Sequence, residues 1–380
     1  MISKPEPTLL EQLEAAGVKV DTDSMDPKVA QSLPFKPHDM TSNQLLVNEQ
    51  LKNPENKELV EKTIKELGKN ASWLDVHTVL TARFAKRVQP YITGRVLAQT
   101  TPSEAYDKEK IIAHARAYDK AYQAEGITRD KFCIKVPSTT AGVQAAVVLN
   151  KEGIRTLGTS LFSLPQAIAC SQAGMLSISP YFNEVRAHVE NDLWPDVEDP
   201  ATQHPLSFRM RHIRDTYDRL AKETGKTQPL IKGASCVTAR EAMAHVELGA
   251  DHITILSPIM EDLISTSRLP EYRKGGEWNV RIRSELDKPD LKWASWSPIE
   301  PAVSKTRMQE LSKADPLSKI MQKDWKIAST DIDYLADGVL DKYNEEDEIT
   351  RNRLRDALVL FQGGEKESRE EIEKLQKLYL

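Results

Sequence analysis

Eight short β-prone runs, most of them separated by helix-length amphipathic stretches, limit the architecture of this chain more than any other feature. They fall at residues 18–21, 38–41, 95–100, 132–136, 155–159, 176–180, 230–234 and 252–256. Strand alternating with helix argues for a parallel sheet, and eight such units close a (β/α)₈ barrel. The run at 38–41 is the weakest, being short and preceded by Pro34 and Pro37. Helical periodicity is clearest at 107–124 and 207–224, where apolar residues recur at three- and four-residue spacing. Beyond about residue 264 the strand signal fades. Charged helical pattern over 331–341 and 345–361 then leads into a polar tail at 363–380. We expect a TIM-type α/β barrel over residues 1–264, with a helical C-terminal extension over 265–380 packed on it.

Composition removes several classes of function. The 52 basic and 57 acidic residues leave a net charge of −5, which gives no footprint for nucleic acid or an anionic membrane. No run suggests a membrane span, and residues 1–17 lack the apolar core of a signal peptide. The three cysteines, Cys133, Cys170 and Cys236, sit among apolar or small residues, as buried free thiols in a reducing compartment would. A soluble, cytoplasmic protein is the expectation. None of the eight histidines falls in a His-x-His or His-Glu-x-x-His pattern, so no metal site is expected. The proline-rich stretch at 194–205 reads as a loop or lid.

In such a barrel the chemistry sits where strands end and loops begin. Those positions hold Asp21, Asn43, Gln99, Lys135, Thr159, Ser179 with Tyr181, Ser235 and Ser257. One amine, one carboxylate, two amides and several hydroxyls suit covalent carbonyl chemistry. Lys135 lies inside the apolar run Phe132-Cys133-Ile134-Lys135-Val136-Pro137. An ammonium there loses hydration, its pKa falls, and a neutral amine becomes available to form a Schiff base. The plainer alternative is a strand-end lysine whose amine snorkels to water. Hydroxyls such as Thr139 or Thr140, Thr238 and Ser257 are first read as helix caps. Asp21-Thr22-Asp23 also fits the strand–Asp-x-Asp start of haloacid-dehalogenase-like phosphotransferases, but no later strand end supplies a matching acidic pair. A sugar-binding barrel without turnover is the alternative of another class.

The run "KFCIKVPSTTAGVQAAVVLNKEGIRTLGTSLFSLPQAIACSQAGMLSISPY" resembles the central region of the transaldolases. "IKGASCVTAREAMAHVELGADHITIL" is similar to the family's Gly-Ala-Ser strand and the strand after it, and "VKVDTDSMD" and "HDMTSNQLLV" to its first two strands. The resemblance implies a (β/α)₈ barrel without metal or organic cofactor, acting on small-molecule ketose and aldehyde substrates in carbohydrate metabolism such as the pentose phosphate pathway. It assigns the Schiff base to Lys135 and proton exchange with the substrate hydroxyl to Asp21. Asn43 would bind substrate hydroxyls, Thr159 would position the catalytic water, and Ser179 and Ser235 would line the substrate site. A homodimer with the C-terminal helices at its interface is the assembly it suggests.

The departures from the family pattern carry as much information. Transaldolases have a glutamate where this chain has Gln99, and usually a phenylalanine where it has Tyr181; both changes are similar to fructose-6-phosphate aldolase. An amide can orient water, whereas a carboxylate can also hold a proton. The family's phosphate-binding basic residues are replaced by Glu184 and Val237, and a family asparagine by Leu157. Arg186 would face away, whereas Arg240, one helical turn after Val237, is expected to compensate in part. The expected activity is transfer or release of a dihydroxyacetone unit from a ketose through Lys135, with an unphosphorylated or specialised biosynthetic substrate as the alternative.

Overall fold

The structure, a computed structural model, describes residues 6–274 and 330–380. Seven parallel strands curl into one sheet: β1 (Lys19–Thr22), β2 (Val96–Gln99), β3 (Phe132–Pro137), β4 (Thr156–Leu161), β5 (Ser177–Pro180), β6 (Leu230–Gly233) and β7 (His252–Ile255). Their spatial order is β1-β7-β6-β5-β4-β3-β2. Met40 bridges Thr22 of β1 to Val96 of β2 and so occupies the eighth position. Thr22 N donates to Asp39 O at 2.9 Å, and Met40 N donates to Arg95 O at 2.9 Å. The run at 38–41 is thus a bridge rather than a full strand. It follows Pro37, and within three residues of Met40 the chain has turned into the helix Gln44–Lys52. The architecture is the expected (β/α)₈ type, with one strand reduced to its minimum.

Strands β2, β3 and β4 are buried along their whole length, as a sheet covered by helices outside and filled by side chains inside requires. Ile134 and Val136 belong to the main apolar core, whereas their neighbours Cys133 and Lys135 lie outside it. This two-residue alternation sorts helix-facing from barrel-facing residues. Gly158 on β4 lets the helix Leu164–Gln172 approach closely, since a Cβ at that position would collide with Cys170 Sγ. All three cysteines are buried and free. The helices Lys108–Ala124 and Ser207–Thr224 coincide with the strongest sequence periodicity, and Asp107 caps the first by accepting from Lys110 N. Thr139 and Thr238 are N-caps as expected; Ser257 is instead the first residue of its helix, after Leu256.

The C-terminal segment differs from its sequence reading. Residues 330–338 are turns, followed by a helix at Val339–Glu346 and a 32-residue helix at Glu348–Tyr379. The expected polar tail is therefore helical. Tertiary packing overrides local propensity here: Gly364 is pressed against Leu45 and Gln44, Gln376 Nε2 donates to Ala71 O at 2.9 Å, and Arg369 lies over the Trp73 ring. Ser103 N and Oγ donate to Glu365 at 3.1 and 2.6 Å, and Lys52 pairs with Glu367 at 2.7 Å, which fixes the long helix across the barrel mouth. Residues 275–329 of the expected extension lie outside the described residues. Among the described residues no helix is long and apolar enough to cross a membrane.

Two helix-borne histidines store a pH-sensitive cost. His77 is buried with no hydrogen-bond partner on either ring nitrogen among the described residues, and burial lowers its pKa to about 4. Burial, reinforced by His77, takes His114 to about 3. Because the folded values lie below the unfolded ones, the neutral rings favour folding fully above about pH 6.5, and this contribution is lost as the pH falls toward 4. Stability measured by urea denaturation should therefore drop between pH 6.5 and 4, by about 3 kcal/mol per histidine. His77→Leu should flatten that slope.

Candidate active site

The barrel interior has two levels, set by alternation along each strand. On the lower level Leu97, Cys133 and Leu157 form a small apolar cluster on one side. Opposite lies a buried ionic group. Lys232 Nζ donates to Asp21 Oδ2 at 2.7 Å and to Asp39 Oδ2 at 2.6 Å, while His252 Nδ1 lies 2.9 Å from Asp21 Oδ1. Asp39 N donates to the same Asp21 oxygen at 2.9 Å. Burial alone would lower the Lys232 pKa, but the two carboxylates outweigh it and hold the ammonium above its ordinary value. Burial would likewise raise Asp39; Lys232, His38 and the Arg95 N–H together hold it well below. Asp21, His38, Asp39 and His252 could together ligate a cation, their ligand atoms lying within 4.8 Å of one another. The Lys232 ammonium already bridges the two carboxylates, and a cation would have to displace it.

One level up, at the C-terminal ends of the strands, a cavity of about 720 Å³ including its mouth opens among Asp23, Asn43, Lys135, Ser179 and Tyr181. Lys135 is 5% exposed, and its Nζ donates to Ser42 O at 3.1 Å. Burial lowers its pKa, opposed by the negative charge of Asp23 and by Cys133. Cys133 itself is pushed up to about 12 by burial, so at neutral pH it is a thiol. The amine of Lys135 is thus partly desolvated, directed into a cavity, and faces one carboxylate. Such an amine can condense with a carbonyl.

The expected site residues divide into three groups. Lys135, Asn43, Ser179, Tyr181 and Ser235 all line the cavity. Asn43 also caps the helix Gln44–Lys52, its Oδ1 accepting from Leu45 N and Leu46 N at 3.0 and 3.2 Å, so its Nδ2 is the group offered to a ligand. Gln99 and Thr159 stand just behind. Gln99 is paired in register with Lys135, and its buried Oε1 has no hydrogen-bond partner. Thr159 Oγ1 lies 3.2 Å from the Tyr181 hydroxyl, whose pKa burial raises to about 12.

Asp21 and Arg240 lie elsewhere. Asp21 sits two residues before Asp23, deeper in the barrel, where its carboxylate accepts from Lys232 and lies beside His252. Arg240 does not line the cavity either. Its guanidinium lies 5.7 Å from the Tyr272 ring and donates to Pro270 O at 2.5 Å, outside the cavity. The loop at 194–205 does not border the cavity either. Trp194 Nε1 donates to Glu241 Oε1 at 2.7 Å, and the indole is buried with Val237.

Sequence reasoning missed Asp23, His188 and the helix residues Leu360 and Phe361, all of which line the cavity. Asp23 was findable, because it shares the inward face with Asp21 and only the end of β1, one residue later than expected, decides between them. His188 and the long helix carried no local signal.

A parallel barrel with an amine and a carboxylate facing each other at its strand ends defines a class of enzyme suited to making and breaking bonds beside a carbonyl. Comparison with known proteins narrows the class. The pattern of the Transaldolase/Fructose-6-phosphate aldolase family matches residues 20–296, and the chain belongs to that family. It is 33% identical over 267 residues to a transaldolase of Nostoc punctiforme, covering 68% of this chain and 76% of that one. A transaldolase of Nostoc sp. is 33% identical over 271 residues, covering 68% and 77%, and one of Gloeobacter violaceus is 31% identical over 268 residues, covering 68% and 66%. The protein is an enzyme of the transaldolase type, and the family implies small sugar substrates.

The two levels predict different mutant behaviour. Lys232→Met leaves buried carboxylates uncompensated and should cost about 3–5 kcal/mol in chemical denaturation. Asp23→Asn should leave stability nearly unchanged. Because the Asp23 charge raises the Lys135 pKa, removing it should shift the pH dependence of Lys135 labelling by an amine-reactive reagent to lower pH.

Proposed function

We propose that this enzyme transfers or releases a dihydroxyacetone unit from a ketose through a Schiff base on Lys135, with Asp23 as the general base. The neutral Lys135 amine adds to the ketone of the donor, and loss of water gives an iminium. Asp23 takes the proton from the C4 hydroxyl as the C3–C4 bond breaks. An aldehyde leaves, and the three-carbon fragment remains as an enamine conjugated with the lysine nitrogen. Addition to an acceptor aldehyde, with the proton returned by Asp23, gives the iminium of a new ketose, whose hydrolysis completes a transfer; protonation of the enamine and hydrolysis complete a release. The observation that carries this reading is the buried Lys135 amine sharing one cavity with the Asp23 carboxylate.

The Gln99 amide and the Thr159–Tyr181 hydroxyl pair support the water that enters and leaves with the imine. Neither Gln99 nor a phenol of pKa about 12 ionises readily at neutral pH. Their role is orientation of water and relay along hydrogen bonds. This arrangement favours release as a second activity beside transfer, because it holds water next to the imine carbon.

Lys135→Ala should abolish carbon–carbon bond cleavage in initial-rate assays with fructose and fructose 6-phosphate. Asp23→Asn should lower kcat by about 10²–10⁴-fold, the range of general-base removal. Asp21→Asn should mainly lower the denaturation midpoint. Ordinary turnover by Asp23→Asn, together with a folded but inactive Asp21→Asn, would contradict the assignment.

A further inference from the structure

Besides its polar groups, the cavity that holds Lys135 has an apolar lining. Val185, Leu256, Leu360 and Phe361 form an apolar wall, and the last two come from the helix Glu348–Tyr379 that crosses the barrel mouth. One polar pair interrupts this wall: His188 Nε2 lies 2.8 Å from Ser235 Oγ. Ser235 is held at φ 64°, a left-handed conformation unusual for a residue with a side chain, and its carbonyl oxygen accepts from Asn183 N and Nδ2 at 3.2 and 3.0 Å. The scaffold thus fixes both halves of the pair. Apart from Lys135, no lysine or arginine lines this cavity among the described residues.

The positions where the family's basic residues stand are withdrawn from it. Glu184 is buried outside the lining. Val237 is 4% exposed in a separate apolar cluster with Ala187, Leu193 and Trp194. A phosphate dianion placed in this cavity would meet the Asp23 carboxylate and an apolar wall, with no guanidinium among the described lining residues to compensate. An uncharged chain would instead bury its carbon atoms on Leu360 and Phe361 and present a hydroxyl to His188 and Ser235. A ligand hydroxyl that joins this hydrogen-bonded pair gains a contact that an apolar chain cannot make, so the pair favours that hydroxyl.

We infer that the acceptor subsite recognises a short, uncharged hydroxyaldehyde, with His188 and Ser235 as the specificity-determining pair and the Leu360–Phe361 wall excluding phosphorylated tails. This rests on the transaldolase-type reading above and names its acceptor class. The test is a kcat/KM comparison with fructose as donor and three acceptors: glyceraldehyde, glyceraldehyde 3-phosphate and propanal. Glyceraldehyde should exceed its 3-phosphate by at least about tenfold, the scale of one unmatched buried polar group.

His188→Ala should reduce the advantage of glyceraldehyde over propanal by about tenfold, chiefly through KM, as expected for loss of one ground-state hydrogen bond. His188→Asn, which keeps a hydrogen-bonding group, should restore part of it. Leu360→Arg should move preference toward the phosphate. Preference of the unaltered enzyme for glyceraldehyde 3-phosphate would overturn the inference. So would equal losses with glyceraldehyde and propanal in His188→Ala. Borohydride reduction with fructose, run in parallel, separates the two levels of failure. A Lys135 adduct with the wrong acceptor preference overturns this inference alone, whereas absence of any adduct overturns the covalent reading as well.

Discussion

Closure of the sheet by the single residue Met40 is the constraint on which the rest depends. Once the ring is closed, every second strand residue must point inward, and the interior becomes a stack of levels rather than an open face. The lower level holds the Asp21–Lys232–Asp39–His252 group on one side and Leu97, Cys133 and Leu157 on the other. This arrangement keeps water from below and leaves Lys135 with water only through the cavity above it. Desolvation of that amine is therefore a property of the closed barrel and of no single neighbour.

Two lysines inside one barrel show how position decides chemistry. Lys232 and Lys135 are both almost wholly buried, yet their pKa values move in opposite directions. Lys232 has two carboxylates within 2.7 Å and stays an ammonium, a structural cation. Lys135 donates only to a carbonyl oxygen, that of Ser42, among the described residues, and feels Asp23 as a charge across the cavity. Burial without a close counter-ion favours the neutral amine, and burial with two carboxylates keeps the ammonium.

The alternation of strand and helix was legible in the sequence, as was the place of Lys135, Tyr181 and Ser179 at strand ends beside a cavity, because apolar runs and strand-end residues are local signals. The level of a carboxylate within the barrel was less so. Asp21 and Asp23 share one face, and the choice between them turns on a one-residue difference in where β1 ends. Arg240 looked suitable by helical spacing, but the Tyr272 ring and the Pro270 carbonyl hold it outside the cavity. The long last helix was hidden because residues 363–380 read as a polar tail; contacts of Gly364, Glu365 and Gln376 with the barrel hold them helical. Leu360, Phe361 and His188 reach the cavity through tertiary packing, which no local pattern encodes.

The most direct measurement is peptide mass mapping after borohydride reduction of the enzyme incubated with fructose or dihydroxyacetone. A three-carbon, dihydroxyacetone-derived adduct on the peptide containing Lys135, absent from Lys135→Ala, is the predicted result; Asp23→Asn should still form it with dihydroxyacetone, but with fructose should retain the uncleaved six-carbon adduct. An adduct on another lysine, or catalytic turnover with no reducible intermediate, would contradict the claim that this buried amine carries the reaction.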